Sequence, residues 1–435
     1  MSEQEEEEVP FPTDDKDGAA DTDQESNEDN DTANPETPDP NDISLVDTIS
    51  SRISSASSLC KRSVQLISLL LVVMLAVIIS YSPPIRPVTF RMPPAPKLTG
   101  ALTENTRLRS TQQILKSRIV GPESIAIGSD GTLYTGLANG KIISVRGKVI
   151  TEIGYTGHVN CASEETCGRP LGVRIHNSSL YVINAYKGIL KVSLTGDSQQ
   201  MLVNMKDESI RLNNRQTRFL NDLDISSAGV IYFTDSSSRH SREYNLYEFL
   251  ESGPHGTLFS YNMLTLEIKV LISGLHFPNG VQLSPDESYV LVAECTRARI
   301  VRYWLKGDLA GTWDYFAVNL PGYPDNIRRR ESGGYWLGMA AIRRHPFSLP
   351  DSLAPYPQIR ATLTKILPYF LLRSLASQYG MVVVLDEFGN IMDSLQDPGG
   401  LVIPSSSEVA EHDGVLYIGS YYASFIGKLR LKDEF

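Results

Sequence analysis

Cysteine, tryptophan and histidine are scarce in this sequence, with 4, 3 and 7 copies among 435 residues. Four cysteines cannot staple a chain of this length, so a disulfide-built scaffold is excluded and a hydrophobic core must carry the fold. The histidines, at positions 158, 176, 240, 255, 276, 345 and 412, show no zinc-ligand spacing. No G-x-S-x-G elbow, H-E-x-x-H helix, P-loop or dinucleotide fingerprint occurs, which removes the usual signatures of serine hydrolases, zinc proteases and nucleotide enzymes. No cluster of lysine and arginine is interleaved with aromatics, so no nucleic-acid partner is expected.

The net charge of −11 is an average over two unlike parts. Residues 1–50 hold 18 acidic side chains and one base, Lys16; the remainder holds 33 acids and 39 bases. An acidic segment with so few apolar side chains cannot offset its conformational entropy, so residues 1–60 read as a disordered tail. From Val64 to Tyr81 no residue is charged. Eighteen residues rise about 27 Å as a helix, close to the ~30 Å hydrocarbon core of a bilayer. Residues 61–82 therefore read as a membrane anchor, with 64–81 inside the bilayer. Too much chain precedes the run for a cleaved signal peptide. Lys61 and Arg62 beside its N-terminal end place the tail in the cytosol and the larger part in a lumen or outside the cell. Asn177-Ser178-Ser179 is a glycosylation acceptor, and Cys161 and Cys167 are near enough in sequence to pair in that oxidising space. Cys60, just inside the membrane, is either palmitoylated or a plain thiol.

Six prolines between Pro83 and Pro96 make residues 83–100 an extended stalk. Beyond it one pattern recurs: a short apolar strand, a turn rich in Gly, Asp or Asn, and a second strand of Leu, Tyr and Val. It begins at Glu123, Leu171, Asn221, Asn279, Asp325 and Glu408. The first five starts are 48, 50, 58 and 46 residues apart; the last gap, 83, contains an insertion at 341–378. A period near 50 with two to four strands per unit is that of a β-propeller blade. An irregular β-sandwich is the alternative, and six returns of one pattern favour an all-β, six-bladed propeller over residues 101–435. Glu411-His412-Asp413-Gly414 then reads as a blade turn rather than a site for a general base.

The start of each inner strand points at the propeller axis. Glu123, Asn221, Asn279 and the Asp325–Asn326 pair stand at that position, and Leu171 in the second repeat. Two carboxylates and three amides offer only oxygen ligands, a set suited to Ca²⁺ rather than zinc, and one that leaves a coordination position open. An ion there polarises a carbonyl or phosphoryl oxygen. Taken alone, Asn279-Gly280 reads as a turn; the set in repeat phase favours a metal.

Longer stretches add a resemblance. Val120-Gly121-Pro122-Glu123-Ser124-Ile125, Cys167-Gly168-Arg169-Pro170-Leu171-Gly172, Asn184-Ala185-Tyr186-Lys187-Gly188 and Phe277-Pro278-Asn279-Gly280-Val281 are four of them. Tyr232-Phe233-Thr234-Asp235-Ser236-Ser237 and Pro324-Asp325-Asn326-Ile327 are two more. On these residues 83–435 resemble the strictosidine-synthase-like, paraoxonase-related family of six-bladed propellers. The resemblance implies a type II membrane glycoprotein with arylesterase-like activity on a small ester, and Glu123, Asn221, Asn279, Asp325 and Asn326 as ligands of a catalytic calcium. It also shows departures. Leu171 and Ala185 stand where paraoxonases have a histidine pair. Ser124 replaces an aspartate of their second calcium site, leaving Asp222. The condensing glutamate of strictosidine synthases has no counterpart in register, although Glu408 is nearby.

Two functions of different class follow. One is a calcium-dependent esterase; the other is a non-catalytic surface propeller in which calcium only holds the blades. The insertion, with Leu363, Ile366, Leu367, Tyr369, Phe370, Leu371 and Leu372 beside Arg343, Arg344, Arg360, Lys365 and Arg373, reads as a lid, a membrane-lying helix or a helix packed on the propeller.

Overall fold

The computed structural model describes residues 40–205, 216–374 and 378–431. The chain divides between Ala76 and Val77 into two compact units. Most of α1 (Pro40–Ser80) forms the first, and its stretch Ser44–Ala76 is long and apolar enough to cross a membrane. The helix begins well before the uncharged run, so residues 40–60 are helical where composition gave disorder. The cause is local. No Gly or Pro occurs between Asn41 and Ser82, and the hydroxyls are satisfied along the helix. Thr48 donates to the Ser44 carbonyl at 2.6 Å and Ser55 to that of Ser51 at 2.8 Å. The acidic stretch before residue 40 lies outside the described residues.

The second unit is a six-bladed β-propeller of four-stranded antiparallel sheets. Its inner strands are β2 (Ile125–Ile127), β6 (Pro170–His176), β10 (Leu220–Ile225), β14 (Pro278–Leu283), β18 (Gly322–Arg329) and β22 (Glu408–His412). They coincide with the six repeats. Each of the first five sheets uses four consecutive strands. The sixth is shared between distant segments: β22, β23 (Val415–Gly419) and β24 (Ile426–Arg430) are completed by β1 (Gln112–Ile114). Gln112 faces Lys428, and Ile114 faces Ile426. Apolar residues of neighbouring sheets interdigitate between blades, as where Phe316 of the fourth blade meets Tyr335 of the fifth edge-on with ring centres 5.7 Å apart.

The insertion falls inside the fifth blade, between the strands Tyr335–Ile342 and Gly380–Leu385. It folds as three short helices: α4 (Leu349–Leu353), α5 (Pro357–Ile366) and α6 (Tyr369–Ser374). Residues 375–377 of it lie outside the described residues. Its entry and exit stand at the end of the channel where the inner strands start.

Residues 83–100 are a strap rather than a free stalk. Ile85 is fully buried, the Val88 N–H donates to the Glu251 carbonyl at 3.0 Å, and Phe90 lies 3.7 Å beneath the Arg297 guanidinium. Proline holds the segment extended and leaves its carbonyls open to donors. Pro93 accepts from Arg343 at 2.7 Å and Pro94 from Asn319 at 3.1 Å. Ile85→Ala should cost about 2–5 kcal/mol in urea unfolding; a loss below about 1 kcal/mol would make the strap peripheral.

Candidate functional site

The polar residues at the inner-strand starts owe their direction to β-bulges. Pairing of β10 with its neighbour is interrupted between Leu220 and Leu223, that of β14 between Pro278 and Val281, and that of β18 between Pro324 and Ile327. The unpaired residues are Asn221–Asp222, Asn279–Gly280 and Asp325–Asn326. A bulge frees two successive residues from the ladder and re-aims them, and four of the five candidate ligands, Asn221, Asn279, Asp325 and Asn326, stand in these bulges. Asn279-Gly280 is therefore a bulge inside a strand, not a turn. Its glycine is required by closeness: a Cβ there would lie 2.5 Å from the Cα of Asn326.

All five predicted ligands stand at this end and are buried, from 1% exposure for Asn326 to 6% for Asn279. Asn221 donates through Nδ2 to Ser236 Oγ at 2.9 Å, and Ser236 donates to the Pro278 carbonyl at 2.6 Å. That pair fixes the amide with its oxygen directed away. Asn221 Oδ1, Asn279 Oδ1 and both amide atoms of Asn326 have no hydrogen-bond partner among the described residues. Burial pushes the Asp325 carboxyl well above the usual range, and the charge of Glu123 adds to this against contacts from Ser407 and Asn279. Glu123 is also raised, by burial first, although Arg169 and Arg242 oppose it. Buried carbonyl oxygens without donors, beside two acids that disfavour each other's ionisation, are a costly arrangement in isolation. An oxygen-binding divalent cation such as calcium would satisfy the three amide oxygens and both carboxylates, and the Asn326 Nδ2 donor would still lack an acceptor.

Deeper in the channel the charge is already balanced. Arg328 sends Nη1 to Asp222 Oδ2 at 2.9 Å and Nη2 to Asp222 Oδ1 at 3.1 Å, while Nη2 also meets Glu408 and, at 3.4 Å, Ser124 Oγ. Burial alone would raise the Asp222 carboxyl, yet Arg328 and Arg174 hold it below its ordinary value. A guanidinium thus fills the space between Asp222 and Ser124, and those two residues do not fit a second calcium. Glu408 is spent on Arg328 and on the Ile125 N–H at 2.7 Å.

At the mouth, Arg169 donates to the carbonyls of Gly121 at 3.0 Å and Tyr421 at 2.9 Å and reaches Glu123 at 3.5 Å. Arg242 pairs with Glu164 at 2.8 Å and lies 5.7 Å over the Tyr421 ring. Glu164 also accepts from the Tyr186 hydroxyl at 2.7 Å. It sits on α2 (Glu164–Cys167), which is closed by the Cys161–Cys167 disulfide with the Cα atoms 5.1 Å apart. Leu171 and Ala185 are buried in the core. Asn177 is exposed on the turn at the far end of β6. Glu331, His412 and Asp413 come together at that far end too, away from the five. A cleft of about 370 Å³ lined by Arg218, Ser238, Arg239 and His255 holds none of the five.

Sequence reading missed Arg242, Glu164, Tyr421 and Arg328 as members of this constellation. The first three stand on connections that no repeat aligns, and Arg328 follows the fifth repeat start by three residues with no special spacing.

The strictosidine synthase family profile matches residues 221–308, and the N-terminal profile of the strictosidine synthase-like family matches residues 100–145. Adipocyte plasma membrane-associated protein of Danio rerio is 40% identical over 373 residues, covering 84% of this chain and 89% of that protein. The chain belongs to the adipocyte plasma membrane-associated protein family. The human member is 40% identical over 353 residues, covering 80% of this chain and 83% of that protein. The family's propeller has a distant likeness in a gluconolactonase of Xanthomonas campestris. That structure shows a TM-score of 0.50 at 16% identity, covering 80% of this chain and 98% of that one.

Proposed function

We propose that this member of the family is a membrane-anchored, calcium-dependent carboxylic ester hydrolase of arylesterase type. The observation that carries the reading is the set of donor-free buried oxygens on Asn221, Asn279 and Asn326 beside Asp325 and Glu123. Those five residues would hold the ion. When bound, it supplies a Lewis acid for an ester carbonyl.

The chain's own groups set the rest. Ser236 fixes Asn221, and Arg169 restrains Glu123. In hydrolysis a water oxygen bonds to the acyl carbon, the bond from that carbon to the aryloxy oxygen breaks, and the products are a carboxylic acid and a phenol. A phenoxide is a good leaving group, so aryl esters need less help from a general acid than alkyl esters do. This suits a site where Leu171 and Ala185 replace the histidine pair of paraoxonases. The propeller is placed in the lumen or outside the cell and the N-terminus in the cytosol, a reading supported by Lys61 and Arg62 before the apolar run and by the Cys161–Cys167 disulfide. Asn177, exposed on its turn, is the glycosylation site of that topology.

The test is phenyl acetate hydrolysis by the full chain in detergent, with calcium, with chelator and with calcium restored. Turnover should fall with chelator, return with calcium and drop by more than about 100-fold in Asn279→Ala, since even outer-shell partners of a metal are worth roughly 10–100-fold. Folded, calcium-loaded protein without turnover would leave the binding propeller as the function.

A further inference from the structure

We infer that the channel mouth is an oxyanion-binding subsite, so that the esters or lactones taken by this protein carry a carboxylate. The inference rests on the hydrolase reading for the word ester, but the subsite itself stands on the donors at the mouth. Arg242 is 9% exposed and spends one N–H on Glu164. Its other N–H groups have no acceptor among the described residues. The Tyr421 hydroxyl likewise has no protein partner among the described residues, and its ring is held against Arg242 at 5.7 Å. Arg373, on α6, is exposed and has no ion-pair partner among the described residues.

These are unspent donors, and a guanidinium fork with a phenol is matched by a carboxylate, which only accepts. The charge balance points the same way. Glu123 is the carboxylate partner of Arg169. Once the two acids of the ring serve a divalent cation, their charge is neutralised, while Arg169 and Arg373 keep theirs. Glu164 is spent on Arg242 and Tyr186, and Glu165 and Glu243 are exposed to solvent. The loaded mouth is then positive, and a carboxylate is drawn to it.

The cap holds these donors in place. Tyr369 packs edge-on to Tyr244 and Tyr247 with ring centres 5.5 and 4.8 Å away, and its hydroxyl donates to the Glu243 carbonyl at 2.8 Å. Through Tyr369, α6 is fastened to the segment that bears Arg242, and Arg373 follows four residues later.

The experiment compares monophenyl glutarate, which carries a carboxylate, with its neutral methyl ester, following phenol release by the calcium-loaded full chain in detergent. The anionic ester should be favoured by roughly 10- to 100-fold in kcat/KM, the range for one hydrogen bond to a charged group. The preference should shrink as salt is added. Arg242→Gln and Arg373→Gln should each bring the ratio of the two esters toward 1; the second lies at an exposed position, where a substitution costs the fold only about 0.5 kcal/mol or less. Glutarate itself should raise the melting temperature of the wild type and not that of Arg242→Gln. Equal turnover of both esters with no glutarate shift would overturn the subsite and leave the hydrolase standing. A glutarate shift lost in both variants, with neither ester turned over, would sink the hydrolase and support the subsite.

Discussion

Arg328→Ala is expected to cost the propeller about 3–5 kcal/mol, the usual loss when one partner of a buried ion pair is removed. The guanidinium is the central cation of the inner channel. It joins Asp222 of the third blade to Glu408 of the sixth, spans to Ser124 of the first, and itself belongs to the fifth. Without it two fully buried carboxylates face each other with only Arg174 near Asp222, at 3.5 Å. Arg328→Lys should recover less than half of the loss, because one ammonium cannot reproduce a fork on Asp222 and a bond to Glu408 together. Urea unfolding followed by circular dichroism measures this. The vacated space is lined by carboxylate and hydroxyl oxygens, so calcium should stabilise Arg328→Ala more than the wild type. A loss below about 1 kcal/mol would show that the channel charges are screened by water.

The second large effect has two signs. Asp325→Asn should abolish calcium binding and turnover, yet raise the stability of the calcium-free protein. The wild-type carboxyl is raised well above 3.8 by burial and by Glu123. A folded-state value above the unfolded one means that native protein holds the extra proton, so stability is full below about pH 4 and is lost as pH rises through the folded value. Glu123, also raised, adds to the same slope. Asp222, which is lowered, acts in the opposite sense but only below its unfolded value of 3.8. In chelator the melting temperature should therefore fall as pH rises above about 4, and less so in Asp325→Asn. Calcium should flatten the wild-type slope and leave that of the variant alone. Identical pH profiles for the two proteins in chelator would remove Asp325 as the source.

The inner strands were legible because a channel-lining strand must be apolar, short and followed by a turn, and that pattern returns six times in the sequence. The placement of Asn221 and Asn279 was legible for the same reason: repeat phase puts them at equivalent points although 58 residues separate them. What phase cannot show is where a strand departs from its ladder. The bulges at 221–222, 279–280 and 325–326 free two residues each from the ladder; in the first of them Asn221 meets Ser236 while Asp222 meets Arg328. Connections were the other blind spot. Arg242, Glu164 and Tyr421 meet only because three loops rise at the same end of the channel. The strap was misread because six prolines look alike whether an extended chain is free or pinned; Ile85 and Phe90, two apolar side chains among them, were the available sign. Residues 40–60 were misread because polarity outweighed the absence of helix breakers.

The shared sixth sheet sets a schedule for the newborn chain. Strand β1 is made early, but β22–β24, its partners, are read out some 294 residues later. At about 5–20 residues per second this is a wait of roughly 15–60 s. Through that interval the first blade has no neighbour on one side, and the three residues of β1 present an unpaired edge to every other chain in the compartment. A protein closed in this way depends on its surroundings most while it is being made, and a substitution that slows arrival of β24 would lower yield without altering the finished molecule.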